Sequence, residues 1–373
     1  MREMKELLQA YIDRGGVGVQ LSFMKSGGVP ITFSAGVTNR ETNEAVTACH
    51  VFKIGSCTKT FVAAALVRLA ADGKIDLRNT IESWFPDLPF SREIKVVDLI
   101  NHRSGLPEFE YDIPMTPDLH WTPRQIVEFA YSVAKPKPPH GQAVYSNTGF
   151  VMAGIVIEAV TGLSLGQWVR QAILEPLSLA DSWSPATEEF PESRLVRGNY
   201  LRLPDLAGRG HFKKGGEMWN MEGLLSYSSE LQDSSDLFSF PAAYACGDMV
   251  ASTADQVRFL SALMLGKIVP HAFLEQMTGE MVPVSFPGTR MLKAGAGLFE
   301  CQYADRITFG HQGSLPGYVS VMQFDPETQL TLAIASNIGS GDRLSFEANG
   351  LHPLMDEVLQ LLSDDTIVQN ALA

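Results

Sequence analysis

The sequence predicts an α/β (α+β) protein: an antiparallel sheet domain built from both chain ends, flanked by N- and C-terminal helices, with a helical domain inserted between. Two patterns carry this expectation. Helix and strand periodicities recur near both termini, while the middle of the chain reads as helices separated by Pro and Gly. The 373 residues also leave room for two domains at ~150 residues each. The expected division gives residues 1–80 and 241–373 to the sheet domain and 81–240 to the helical one, with any functional site expected between them.

Leu7, Leu8, Tyr11 and Ile12 share one face, so residues 3–13 read as a helix stopped by Gly15 and Gly16. Residues 17–23 and 30–36 read as strands around the turn Lys25-Ser-Gly-Gly28. Residues 56–71 form a helical pattern that is apolar nearly all round and ends at Gly73, which predicts a buried helix. In the middle region, 151–160 and 165–173 are the clearest helices. Residues 185–240 show little periodicity and much Gly, Pro, Ser and charge; so long a stretch reads as a functional lid or wall. Residues 254–264 then read as a helix, and 297–302, 306–309, 318–324 and 329–336 as antiparallel strands. Asp325-Pro-Glu-Thr328 is a turn, and Leu354, Val358, Leu361 and Leu362 mark a final amphipathic helix.

Composition removes several classes of function. With 29 Lys+Arg against 42 Asp+Glu the net charge is −13 and the pI ≈ 5.1. No basic footprint exists for nucleic acid or an anionic membrane. Hydrophobic residues at 45% and charged ones at 19% exclude a mainly disordered chain. Cys49, Cys57, Cys246 and Cys301 form no Cys-x-x-Cys, and the eight histidines form no His-Glu-x-x-His. Free thiols, no metal and no cofactor are therefore expected. No stretch reaches the ~18 apolar residues of a membrane span. Met1-Arg-Glu-Met-Lys-Glu6 mixes charges and lacks the layout of a signal peptide, so a cytoplasmic protein is expected.

Three short motifs carry chemistry. Ser56-Cys-Thr-Lys59 places a serine and a lysine three residues apart at the start of the buried helix, on one face. Helix-end N–H groups favour negative charge there, and a desolvated lysine can take a serine proton. An ordinary helix start with a solvated lysine has the same form. Ser22-Phe-Met-Lys25 and Ser132-Val-Ala-Lys135 match too, but one lies on a strand and the other runs into prolines. Tyr145-Ser-Asn147 lies on a loop entering a helix, where Tyr can shuttle a proton and Asn can orient an amide; taken alone, the triplet reads better as a packed Tyr with Asn147 as helix cap. His311-Gln-Gly-Ser314 follows a strand, and Gly313 permits close substrate approach. The Ser314 and Ser56 amides then form an oxyanion hole; an ordinary strand-end His is the alternative.

In this order, together with Phe52-Lys-Ile-Gly-Ser56, Leu99-Ile-Asn-His-Arg-Ser-Gly-Leu-Pro107, Tyr145-Ser-Asn-Thr-Gly149 and Gly247-Asp-Met-Val-Ala-Ser252, the motifs resemble the serine β-lactamase and penicillin-binding-protein superfamily. Within it the chain is most similar to D-amino acid amidases, D-aminopeptidases and D-Ala-D-Ala carboxypeptidases, notably in residues 101–110. The resemblance implies a β-lactamase-like fold and a serine hydrolase that cleaves D-amino acid amides or D-peptides. It implies Ser56 as acylated nucleophile, Lys59 and Tyr145 in proton transfer, and the Ser56 and Ser314 amides as oxyanion hole. Asn147, His311 and Gly313 then line the substrate site, and Glu110 holds the substrate α-ammonium; a solvated loop acid is the plainer reading of Glu110. The implied partner is a small molecule or short peptide. Lys25-Ser-Gly27 imitates the superfamily's Lys-Thr-Gly but precedes Ser56 on a hairpin. His311 stands where β-lactamases carry a permanent cation suited to a carboxylate, which disfavours a β-lactamase and, less strongly, a carboxylesterase. A receptor that acylates without turnover is the remaining alternative.

Overall fold

The computed structural model describes residues 2–109, 120–201, 231–234, 239–284, 289–339 and 351–363. Helix α1 (Arg2–Asp13) leads into β1 (Gly18–Lys25), β2 (Ile31–Asn39), β3 (Glu44–Ala45) and β4 (Phe52–Lys53). A helical stretch follows: α2 (Thr58–Ala71), α3 (Val96–Ile100), α4 (Pro123–Val133), α5 (Asn147–Thr161) and α6 (Leu165–Val169). Next come β5 (Ser182–Trp183), β6 (Asn199–Leu201), β7 (Leu231–Asp233), β8 (Val250–Ala251), α7 (Thr253–Met264) and α8 (His271–Thr278). The chain returns to strands with β9 (Val282–Pro283), β10 (Met291–Ala294), β11 (Phe299–Tyr303), β12 (Arg306–Leu315), β13 (Tyr318–Asp325), β14 (Leu330–Ser336) and β15 (Ile338–Gly339), then α9 (Leu351–Leu362).

Nine strands form one sheet in the order β3-β2-β1-β14-β13-β12-β11-β10-β9. Strand β1, from the beginning of the chain, lies antiparallel against β14, with Val19 opposite Ser336 and Lys25 opposite Leu330. Side chains alternate between the two faces of a strand, and β14 uses both. Leu330, Leu332 and Ile334 pack with α1 and α9, while Ala333 and Ala335 pack with the α2 side. All seven residues of β14 are buried in consequence. The small alanines leave room for the helices on that face. There Gln20 of β1 accepts from the N–H and hydroxyl of Thr253, fixing the start of α7 on the sheet. Helix α5 packs against α2, α3 and α4. Among the described residues no single helix is long and apolar enough to cross a membrane.

The Asp325 carboxylate receives the N–H groups of Glu327 and Thr328, which makes residues 325–328 the expected turn. Gly28 N–H closes onto Lys25 carbonyl, so Lys25-Ser-Gly27 is the tip of a hairpin. Three expectations need correction. The α-helix after Ser56 starts at Thr58, because Gly55–Cys57 form a tighter 3-10 turn in front of it. The helix expected over 165–173 changes at Arg170 into a π-helical turn, Arg170–Leu174. The strand expected over 306–309 continues to Leu315. The strand pairing explains the last difference. Strand β11 accompanies β12 only as far as Phe299 opposite Gly310, while β13 accompanies it to Tyr318 opposite Leu315. His311 to Leu315 thus lie on an inner strand beyond the recorded β11 ladder. Of the stretch 185–240, residues 202–230 and 235–238 lie outside the described residues.

Candidate active site

Ser56 sits half-buried on the 3-10 turn between β4 and α2. The turn is held from both sides. Ile54 N–H donates to Met249 carbonyl at 3.0 Å, and Ser320 hydroxyl donates to Ile54 carbonyl at 2.7 Å. Gly55 adopts φ +51°, a left-handed conformation that favours glycine. A Cβ there would lie 3.0 Å from the Ser314 nitrogen, which places the Ser314 amide against the serine's turn. Opposite, a Cβ at Gly313 would come within 1.9 Å of Ile54 carbonyl. Both positions therefore let β12 and the Ser56 turn approach with backbone alone.

Lys59, one turn further along, is fully buried. Its Nζ lies 3.0 Å from Ser56 Oγ and donates to Cys246 carbonyl at 2.6 Å. It also stands 4.8 Å from the Tyr145 ring centre and 5.6 Å from that of Phe150, cation–π contacts that help a buried charge. The 3-10 turn runs directly into the helix, so residues three apart still meet despite the later helix start. Cys57 points elsewhere: its thiol lies 3.5 Å from His311 carbonyl and 3.3 Å from Ser320 Oγ. Burial pushes that thiol up to about 12, so it packs as a small hydrophobe and is a poor nucleophile.

His311 is completely buried on β12. Burial first, and the nearby Lys59 charge second, lower it to about 3, so the ring is neutral near pH 7. Its Nδ1 lies 2.7 Å from Gln312 carbonyl and 2.9 Å from Gln312 nitrogen. Its ring centre is 6.3 Å from that of Tyr145, edge to face, and 5.0 Å from that of Phe299.

Tyr145 and Asn147 arrive from the helical stretch. Ser146, not Asn147, caps α5, accepting from Gly149 N–H at 3.0 Å; Asn147 is the first helical residue. Ser146 N–H donates to His102 Nδ1, and the His102 ring stacks on Tyr145 at 4.6 Å. The Glu108 carboxylate receives Asn147 N–H at 2.6 Å and Asn147 Nδ2 at 3.3 Å. An anion at a helix N-terminus is electrostatically well placed.

Ser56, Lys59, Tyr145 and His311 are thus gathered in one place, with the Gly313–Ser314 backbone against the Ser56 turn. Asn147 lies beside them at the start of α5. Glu110 lies outside the described residues. Sequence reasoning missed Glu108, His102 and the Cys246 carbonyl. Glu108 had a signal, as a carboxylate in the same Leu-Pro-Glu-Phe-Glu run, but its partner is 39 residues away. A backbone carbonyl leaves no trace in residue identity. Ser132 is exposed at the end of α4, and Ser22 is buried against Thr253, so neither competing Ser-x-x-Lys assembles such a site.

Comparisons with known proteins bear on the chain as a whole. D-amino acid amidase from Ochrobactrum anthropi SV3, complexed with L-phenylalanine, superposes with a TM-score of 0.89 at 34% identity, over 98% of this chain and 99% of that one. D-stereospecific amidohydrolase from Streptomyces sp. superposes with a TM-score of 0.72 at 26% identity, over 94% and 98%. Penicillin-binding protein 4 of Amycolatopsis lactamdurans is 25% identical across 82% of this chain and 77% of its own length. The Beta-lactamase family profile matches residues 4–352. The chain therefore belongs to the Beta-lactamase family and is a hydrolase of the serine β-lactamase and penicillin-binding-protein superfamily.

Proposed function

We propose that the protein hydrolyses amide bonds of D-amino acid derivatives, either D-amino acid amides or short D-peptides, through an acyl-enzyme on Ser56. The observation that carries the chemistry is the 3.0 Å contact between Ser56 Oγ and the buried Lys59 amine. The likeness to a D-amino acid amidase over 98% of the chain supports the substrate class. Tyr145, with Lys59 charged or neutral in alternate steps, takes the Ser56 proton as Oγ bonds to the acyl carbon. The same groups return that proton to the nitrogen as the C–N bond breaks. Water then attacks the ester with these groups as base, releasing the carboxylic acid and the free serine. The Ser56 and Ser314 amides stabilise the oxyanion.

The site lies, in this reading, between a sheet domain of residues 1–80 and 241–373 and a helical domain of residues 81–240. The first supplies Ser56, Lys59 and His311, the second Tyr145 and Asn147. A neutral His311 gives no permanent charge for a substrate carboxylate, which favours an amide over a β-lactam. Glu110, by resemblance, holds a free α-ammonium. Its test is Glu110→Gln, which raises KM for substrates with a free α-amine and spares N-acylated ones.

Hydrolysis of D-Phe amide, L-Phe amide, a D-Ala-D-Ala peptide, a p-nitrophenyl ester and a cephalosporin tests the whole reading. D-Phe amide or the D-peptide should be turned over and L-Phe amide spared. Turnover of the ester or cephalosporin with no D-amide hydrolysis overturns the amidase reading. A stable adduct on Ser56 without product, seen by mass spectrometry, points to a receptor.

A further inference from the structure

We propose that Asp248 is a positioning residue for Lys59, holding in place the Cys246 carbonyl that receives the lysine amine. This rests on the reading of Ser56 and Lys59 as the acylating pair. A carbonyl only accepts, so the 2.6 Å bond to Cys246 commits one N–H of Nζ in either protonation state. With that corner of the tetrahedral nitrogen fixed, another points at Ser56 Oγ, 3.0 Å away. The position of the Cys246 carbonyl therefore sets the line of proton transfer.

That carbonyl lies in a bend closed by Cys246 and Gly247 N–H, which donate to Ala243 carbonyl at 3.0 and 2.9 Å, and the bend contains one residue in an unfavourable backbone conformation. Ala245 has φ +60°, a left-handed conformation that is unfavourable for a non-glycine residue and persists only where its surroundings impose it. Asp248 supplies this restraint. One carboxylate oxygen accepts Ala245 N–H at 3.1 Å. The other accepts Ser184 hydroxyl at 2.5 Å and Ala186 N–H at 3.4 Å. The loop is thereby tied to the segment after β5. The next residue ties it to the nucleophile: Met249 N–H donates to Thr58 Oγ1 at 3.1 Å, and Met249 carbonyl accepts Ile54 N–H at 3.0 Å. On its other side Tyr244 fits against Gly154 of α5, where a Cβ would come within 2.6 Å of the ring.

Asp248 is fully buried and has no ion-pair partner among the described residues. Burial pushes its carboxyl up to about 6 against the opposing pull of these donors. A carboxylate kept in such a place costs stability. What it holds is the bend under the lysine.

Burst acylation by p-nitrophenyl acetate and steady-state hydrolysis of D-Phe amide, in the full chain, test the proposal. Asp248→Ala should slow acylation about 10- to 100-fold with KM within about twofold, the size of effect expected from a slightly misplaced catalytic group. Asp248→Asn retains an acceptor for Ala245 N–H and should restore most of the rate. Ser184→Ala, which leaves that bond intact, should lose less than Asp248→Ala. In a Lys59→Ala background Asp248→Ala should add no further loss, since it acts through the lysine. A folded Asp248→Ala protein with unchanged acylation overturns the proposal, as does an equal loss in both backgrounds. If Asp248→Ala does not fold, Asp248→Ser, whose shorter side chain cannot hold Ala245 N–H and Ser184 together, takes its place in both backgrounds with the same outcomes. Ester acylation of wild type without D-amide hydrolysis overturns the amidase reading alone. No acylation of Ser56 at all overturns both.

Discussion

On the nucleophile's side of the site, position is set largely by backbone. Ile54 bonds Met249, Ser314 nitrogen lies against Gly55, and Gly313 lies against Ile54 carbonyl. On the Tyr145 side, position is set by side chains: Glu108 on Asn147, His102 on Ser146, and the His102 ring on Tyr145. The difference separates two tasks. In the proposed mechanism the backbone wall places the groups that act on the scissile carbonyl, and at Gly55 and Gly313 it has no space for added atoms. The side-chain wall is held by individual side chains away from the Ser56 turn, so substitutions at Glu108 and Asn147 are the ones expected to change substrate preference.

The sharpest test of the backbone wall removes its one reacting atom. Ser56→Ala should lower turnover by at least about 10⁴-fold, while the thermal midpoint stays within about 2 °C of wild type. Near-normal activity in that variant would end the acyl-enzyme reading. Gly313→Ala is the next largest. Its Cβ would meet Ile54 carbonyl at 1.9 Å, so either β12 or the Ser56 turn must move. In the proposed mechanism that motion separates the two amides of the oxyanion hole. A loss of about 10²- to 10³-fold in kcat is expected, with about 1–3 kcal/mol of stability from overpacking. Denaturant melts and steady-state kinetics measure the two effects separately. Wild-type kcat in a folded Gly313→Ala protein would show that the close approach has no part in catalysis.

The same contrast explains what the sequence made legible. The meeting of Ser56 and Lys59 was legible because they are three residues apart, and a buried helical register brings such residues together whatever surrounds them. Strand alternation likewise made β1, β13 and β14 readable, since each has a repeating two-sided pattern. His311 was found as a residue but misplaced as a structure, because the Gly residues at 310 and 313 look like a strand's end. They are instead where β12 must come close to its neighbours: a Cβ at Gly310 would meet Met322 carbonyl at 1.9 Å. The Cys246 carbonyl and the Glu108–Asn147 contact stayed hidden because they join segments 187 and 39 residues apart. No local period encodes such a meeting.

On the side-chain wall, Glu108→Gln keeps the shape and one acceptor but removes the charge facing Asn147. Hydrogen bonds to charged groups contribute about 1.5–3 kcal/mol, so a rise in KM of about tenfold is expected, with kcat within about threefold. Because Glu108 acts by orienting Asn147, free and N-acylated D-amides should suffer alike. Glu110→Gln, by contrast, should affect only the free amines. If Glu108→Gln discriminates between the two substrates, Glu108 itself meets the ammonium, and the roles of the two carboxylates are exchanged.

His311 stands where the two walls meet, on a backbone-fixed strand with its ring against Tyr145, and its signature is the smallest. The folded protein holds it neutral down to about pH 3, whereas an unfolded chain protonates it near 6.5. Between these values the unfolded state binds the extra proton. Its contribution to stability is therefore complete above 6.5 and declines as pH falls toward 3. The slope is about 1.4 kcal/mol per pH unit at most, and half of it is already reached at 6.5. Urea melts of wild type and His311→Gln at pH 7, 6, 5 and 4.5 isolate this slope from the other acid-sensitive groups. The stability difference between the two proteins should shift against wild type as the pH drops. Parallel curves would mean that the ring takes up a proton as readily folded as unfolded. His311 would then carry a charge in weak acid, and the argument that this site lacks a cation for a substrate carboxylate would fail at that pH.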